Sequence, residues 1–318
     1  MPFDAGKFIV ESIPKVRLAV GRCKAIIAVS GGVDSAVASV LASRALGKKI
    51  RCVFVDTGLM RKDEGEKVKV MMRGAGVDLK VVDASRQFFS ALRGVGEPEK
   101  KRKIIGEKFI RVFESEAKKW GASYLVQGTI APDWIESGGG SRQKIKSHHN
   151  VGGLPEKMRM RLCEPLRDLY KHEVRMVARE LGLPPEISER QPFPGPGLAV
   201  RIVGDITPEK AAIVREACAI VEEELEAASG AGKIEMPWQY FAALPPTRTV
   251  GVRGDERSYQ YTVVVRSVRS LDGMTANFSH LPPEVLQKIS TRITNEIRSV
   301  GRVLYDVTNK PPATVELE

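Results

Sequence analysis

Between residues 25 and 127 the chain alternates four short apolar, largely β-branched runs with longer helix-forming stretches. That alternation limits the fold more than any other feature. Residues 25–29, 51–56, 79–82 and 124–127 have the length and composition of buried strands. Residues 36–42, 64–73, 86–92 and 99–119 suit helices, and a further helix over 3–22 leads into the first strand. Such alternation predicts a parallel sheet covered by helices on both faces, with ligands at the carboxyl ends of its strands. Ser30, Asp56 and Gly128 each follow or end a strand and would line one cleft.

The first of these junctions is Ser30-Gly31-Gly32-Val33-Asp34-Ser35, continuing into Ala36. A strand that enters a helix through a Gly- and Ser-rich turn is suited to hold a polyanion. The first amides of the helix lack partners, the glycines let the backbone approach and take positive φ, and the serines add hydroxyl donors. On composition alone, an ordinary βα turn remains an equal reading. The run is not a Walker A loop, because it has no G-K-[ST] and no lysine.

Further along, residues 130–158 break the pattern. The segment has two glycine clusters, no clear period and many polar residues, which suits a functional lid. Pro165 and Asp168 then introduce a helix over about 169–181. The proline-rich run 190–198 fits neither helix nor central strand, and it sets a boundary between a first domain, 1–191, and a second, 192–318. In the second, Thr207-Pro208 starts a helix reaching Ala228. Residues 250–252 and 259–268 read as strands around the turn Gly254-Asp255, 283–300 as a helix and 303–307 as a last strand. Helices beside a mostly antiparallel sheet make an α+β module.

At 318 residues, the chain has room for two cores. It contains no apolar run of membrane-spanning length, and the charges at Asp4, Lys7 and Glu11 do not match a signal peptide. Cys23, Cys52, Cys163 and Cys218 are scattered without a C-x-x-C pair, which predicts a reduced, cytoplasmic setting. Cys23 and Cys52 read as small core residues at strand starts. The four histidines show no zinc spacing. A net charge of +11 suggests an anionic partner. The one dense basic run, Lys100–Lys103, reads as a solvated helix face. No nucleic-acid module accompanies it, so nucleic acid is not expected as a partner.

The loop 30–35 matches S-G-G-x-D-S, and so resembles that of the N-type ATP-pyrophosphatases (adenine nucleotide alpha hydrolase-like enzymes). The sequence is similar to the GMP synthetases at several further places. These are 54–61, Gln127-Gly128-Thr129 with Pro132-Asp133 and Ile135-Glu136-Ser137, then Lys146-Ser147-His148-His149-Asn150 through Gly153, the run 190–198, and the terminus 310–318. The similarity extends from residue 30 to the last residue. Two departures stand out. Only 29 residues precede the loop and no cysteine lies in a nucleophile-elbow context, so the chain resembles the separate synthetase subunit of a split enzyme. Its terminus reads Val-Glu-Leu-Glu where that family usually has Ile-Glu-Trp-Glu.

The resemblance implies an α/β ATP-pyrophosphatase domain followed by an α+β dimerisation domain. It also implies ATP-dependent amination of XMP to GMP through an adenylyl-XMP intermediate, with ammonia from a separate glutamine amidotransferase subunit. It makes Ser30, Gly31, Gly32, Val33, Asp34, Ser35, Ala36, Asp56 and Gly128 the ATP-binding residues, with Asp34 also a Mg²⁺ contact. Asp34, Asp133, Glu136 and Lys146 become the catalytic set, while Lys146, Arg190, Arg257, Lys310 and Glu316 face XMP. His148 and His149 are left as proton carriers or lid-positioning residues. Val263 and Val265 are expected between the chains of a homodimer. Removing 310–318 is expected to abolish XMP-dependent turnover while leaving the fold. Alternatives are another ATP-pyrophosphatase, such as NAD synthetase or a tRNA-modifying adenylating enzyme, and a basic nucleotide- or RNA-binding protein without turnover.

Overall fold

The computed structural model describes residues 3–136, 160–188, 190–271 and 273–318. They form two compact units. The first comprises the described residues of Met1–Thr57, Asp63–Ala84 and Gly106–Arg190, and the second Gly58–Lys62, Ser85–Ile105 and Gln191–Glu318. Residues 58–62 and 85–105, placed with the first domain by sequence, belong to the second unit. Among the described residues no helix is long and apolar enough to cross a membrane.

In chain order, helix α1 (Ala5–Val20) is followed by strand β1 (Ala25–Ala28), α2 (Val33–Leu46), β2 (Ile50–Asp56), α3 (Glu64–Gly74) and β3 (Leu79–Asp83). Next come α4 (Ser85–Leu92), α5 (Pro98–Trp120), β4 (Tyr124–Val126), α6 (Ala131–Glu136), β5 (Arg161–Cys163), α7 (Lys171–Glu180) and α8 (Pro185–Ser188). The first unit is built on a five-stranded parallel sheet ordered β3-β2-β1-β4-β5. Ile27, in β1, is in register with Cys52 of β2 and Val126 of β4. The strand order reverses at β1, so the junctions after β1 and β4 flank the switch point where ligands bind in such sheets. Ala25, Ile26 and Ile27 are buried, as is most of α2 from Ala36 to Ala42, so the glycine junction is held between two core elements. Strand β5 lay outside the sequence reading, since three residues give no usable period.

The second unit contains α9 (Pro208–Gly230), β6 (Gln239–Ala243), β7 (Arg248–Arg253), β8 (Glu256–Arg269), β9 (Asn277–Phe278), α10 (Pro283–Glu296) and β10 (Val300–Asp306). Thr207 caps α9 by accepting from the Lys210 amide at 3.2 Å, as its Thr-Pro start predicts. Strand β8 is central: β6, β7 and β9 pair antiparallel to it and β10 parallel. Helix α10 stops at Glu296, short of the expected residue 300, and Val300 opens β10 instead.

Three side-chain expectations are corrected. Cys23 is exposed, not core, whereas Cys52 is buried and its burial pushes the thiol up to about 11. Val263 and Val265 are buried within the chain itself, so a homodimer cannot be what covers them. Lys101, in the basic run, is fully buried and forms an ion pair with Glu318, while its Nζ also donates to the Ile202 carbonyl at 2.7 Å. Burial pushes this ammonium below its ordinary range, and Glu318 opposes the shift.

Candidate active site

In the first unit, the loop after β1 is tied by its own serines. The Ser30 amide donates to Ser35 Oγ at 3.1 Å, Ser35 Oγ donates to the Gly32 carbonyl at 3.0 Å, and the two hydroxyl oxygens lie 3.1 Å apart. Gly31 has φ +83°, whereas Gly32 has φ −82°, so only one of the two glycines uses left-handed backbone. Gly32 caps α2 without any side-chain hydrogen bond, which leaves the first-turn amides to serve an anion. Val33 and Ala36 are buried and contribute backbone only.

Asp34 lies in the first turn of α2 and is not its cap. Its Oδ2 accepts from Lys171 Nζ at 2.6 Å, while Oδ1 is buried without a hydrogen-bond partner among the described residues. A buried carboxylate oxygen left without a donor is costly unless something else meets it. Lys171, the first residue of α7, was not singled out from sequence, because 137 positions separate it from Asp34. Gly128 explains how the loops after β1 and β4 come together: a Cβ there would lie 3.0 Å from both the carbonyl carbon and the oxygen of Asp34 and 3.2 Å from the Ser35 amide nitrogen. Any larger residue there would have to push this backbone aside by a few tenths of an ångström.

Asp56 ends β2 next to β1, and its carbonyl accepts from the Ala84 amide at 2.8 Å. Asp133 uses Oδ2 to accept from the Ile130 amide at 2.9 Å, capping the turn that starts α6. Glu136 closes α6, with its side chain outside the described residues, as are Lys146, His148, His149 and the rest of the expected lid from residue 137 to 158. Arg190 is positioned beside the glycine loop. Its Nη1 and Nη2 donate to the two oxygens of Glu64 at 2.6 and 2.7 Å, a bidentate pair that sequence reading also missed. Among the described residues no group of His, Cys, Asp and Glu could by itself hold a metal ion.

The remaining expected site residues lie in the second unit. Arg257 is exposed on β8, opposite Val252 of β7. Lys310 donates from Nζ to the Gly273 carbonyl at 2.7 Å. Glu316 accepts from Arg201 Nε and Nη2 at 3.0 Å each and from Gln239 Nε2 at 2.8 Å, so most of its acceptor capacity is used within the chain. Arg201 is fully buried and stacks over Phe241 at 4.2 Å. Its burial alone would lower the guanidinium pKa, but Glu316 and Cys218 outweigh it and hold the group charged. Arg266, also fully buried, donates to Asp306 Oδ2 at 2.7 Å and to the carbonyls of Thr308, Thr314 and Val315 at 2.8–2.9 Å. None of residues 310–318 is itself buried, but the segment supplies partners to the buried Arg201 and Arg266, so its removal is now expected to disturb the fold of this unit as well as turnover.

Comparison with known proteins finds two family matches. The family described as "GMP synthase C terminal domain" matches residues 223–317, and "Queuosine biosynthesis protein QueC" matches residues 24–189. A Pyrococcus horikoshii protein, named as one subunit of a glutamine-hydrolyzing GMP synthase, is 61% identical over 316 residues, covering 99% of this chain and 100% of its own. The Methanopyrus kandleri protein of the same name is 58% identical over 317 residues, with 99% and 100% coverage. A Clostridium botulinum GMP synthase (glutamine-hydrolyzing) is 55% identical over 318 residues, but this chain spans only 62% of it. Identity of this level across the whole chain shows that the protein belongs to the glutamine-hydrolyzing GMP synthase family.

Proposed function

We propose that this chain is the synthetase subunit of a two-chain GMP synthase, a ligase that uses ATP to aminate XMP. The observation that carries the reading is full-length identity to separate GMP synthase subunits in a chain whose switch-point loop keeps its anion donors open. The C2 oxygen of XMP attacks the α-phosphorus of ATP, the α–β phosphoanhydride breaks and pyrophosphate leaves. Ammonia then adds at C2 and AMP departs with the oxygen, giving GMP. Negative charge grows on the leaving pyrophosphate, so donors fixed beforehand at residues 30–35 favour the transition state over the ground state. Ammonia comes from a separate glutamine amidotransferase chain, for which the longer Clostridium relative has room within one polypeptide.

Asp34 fits Mg²⁺. That ion takes oxygen ligands and is commonly held by one or two carboxylates together with substrate phosphates, and Oδ1 of Asp34 is one such oxygen without a partner among the described residues. Bound there, Mg²⁺ would neutralise phosphate charge. Lys171 keeps the other oxygen of Asp34 oriented. We assign Asp56 and Gly128 to the ATP side, Asp133 and Glu136 to adenylate formation, and Lys146 to the XMP oxygen. Arg257 and Lys310 suit the 5′-phosphate, while Glu316 serves XMP indirectly by holding Arg201 and the tail. A homodimer through the second unit and a cytoplasmic location complete the reading.

Pyrophosphate release with ATP, XMP and ammonium, against the same mixture lacking XMP, tests it. Release is expected only with XMP, and ammonium should convert it to GMP. Absence of XMP-dependent release, together with tight RNA binding, would overturn the proposal.

A further inference from the structure

The Arg190–Glu64 pair lies against the glycine loop. A Cβ on Gly31 would sit 2.8 Å from Glu64 Oε1 and 3.8 Å from Arg190 Nη1. Glu64 is almost wholly buried, with its side chain 3% exposed, while that of Arg190 is 23% exposed. A bare carboxylate beside a polyanion site would repel the ligand, and its burial would be costly. Pairing with Arg190 removes both difficulties. A guanidinium has five N–H donors in a planar fork; Glu64 takes one on each of two nitrogens, which leaves three that Glu64 does not use on a side chain 23% exposed.

From this geometry we infer that Glu64 is a positioning residue that holds Arg190 as an additional contact for the phosphate chain bound by loop 30–35. The inference moves Arg190 from the XMP side to the pyrophosphate side, and it rests on the ATP-pyrophosphatase reading given above. Glu64 acts only through Arg190, fixing its fork by two hydrogen bonds before the ligand arrives. Lysine in place of Arg190 would keep the charge and lose the fork.

The test titrates inorganic pyrophosphate with Mg²⁺ calorimetrically into the full chain, comparing wild type, R190K and the double variant E64Q/R190Q. The double variant replaces both ions by amides and avoids leaving a lone buried carboxylate. Both variants should bind pyrophosphate about tenfold more weakly, the loss of one charge-assisted bidentate contact. In turnover with XMP and ammonium, KM for ATP should rise while KM for XMP stays put. Glu64→Gln alone should lower kcat, and Glu64→Asp should recover part of it, a rescue that a purely structural pair would not give. Unchanged pyrophosphate affinity in the double variant, or an increase confined to KM for XMP, would overturn the inference alone. If wild type itself binds no pyrophosphate, the loop reading falls first and takes this inference with it.

Discussion

The glycine loop of the first unit and the carboxyl-terminal segment of the second are both rich in polar groups, and they treat those groups in opposite ways. At the loop, serine hydroxyls tie the backbone together while the first-turn amides of α2 and Oδ1 of Asp34 are left without described partners. Against the carboxyl-terminal segment, Lys101, Arg201 and Arg266 are fully buried, and each is met by a carboxylate, from Glu318, Glu316 and Asp306 respectively. An open polar group is a place for something to bind, and a closed one belongs to the fold. Polar residues in a family signature can be of either kind. The difference lies in whether their partners are already inside the chain.

The largest test of that contrast is deletion of 310–318. It removes Glu316 and Glu318 and two of the carbonyls that meet Arg266, leaving Lys101 and Arg201 buried without their carboxylates. Breaking a buried pair by removing one partner costs about 3–5 kcal/mol, and domains are stable by only about 5–15 kcal/mol. The truncated chain should lose the cooperative thermal transition of its second unit, seen by calorimetry. Retention of that transition with lost turnover would show that the segment serves a ligand and not the fold.

Asp34→Asn should behave in the opposite way. Its carboxylate faces an exposed lysine on one side and nothing described on the other, so the melting temperature should stay within about 2 °C of wild type. XMP-dependent pyrophosphate release should fall by about a hundredfold or more, the scale of losing one preorganised charge contact. Gly128→Ala is smaller: the added methyl pushes on the Asp34 carbonyl, so overpacking of about 1–3 kcal/mol is expected. A raised KM for ATP should accompany it.

The smallest effect concerns neither region and gives a baseline for an ordinary ion pair. Glu116 is buried, which would raise its pKa, but hydrogen bonds from Lys119 and Lys80 at 2.8 and 2.5 Å prevail and hold it below its usual 4.5. A carboxyl with a lowered folded pKa stabilises above the unfolded value, and that contribution is lost as pH falls through the folded one. The stability gap between wild type and E116Q should therefore be full above pH 4.5 and narrow progressively below it in denaturant titrations.

Local pattern sufficed for the elements that frame the site. The β-branched run at 25–29, the Ser-Gly turn and the small-residue helix after it are readable from adjoining residues, and Thr207-Pro208 announces α9 just as locally. Strand β6 was invisible because all five of its residues are buried, so it shows no alternation, and it follows Pro237. The pairings that define the site and the terminus could not be read at all. Lys171 lies 137 positions from Asp34, Arg190 126 from Glu64, and Glu318 217 from Lys101. Nothing in the neighbourhood of Lys101 sets it apart from Lys100 or Lys103. Helical periodicity turns one lysine of the run inward, and the acid that receives it is supplied by the far end of the sequence.

The interrupted make-up of the second unit has a consequence for how the chain is made. Phe88 and Leu92 are fully buried, yet they belong to a unit whose main body begins only at Gln191. On the ribosome these side chains emerge about a hundred residues ahead of that body, roughly 5–20 s at ordinary translation rates. During that interval the first unit is being completed while α4 must remain undocked and soluble. Nascent chains arrested between residues 120 and 190 should therefore be the ones that recruit chaperones, and slowing elongation there should lower the yield of native protein.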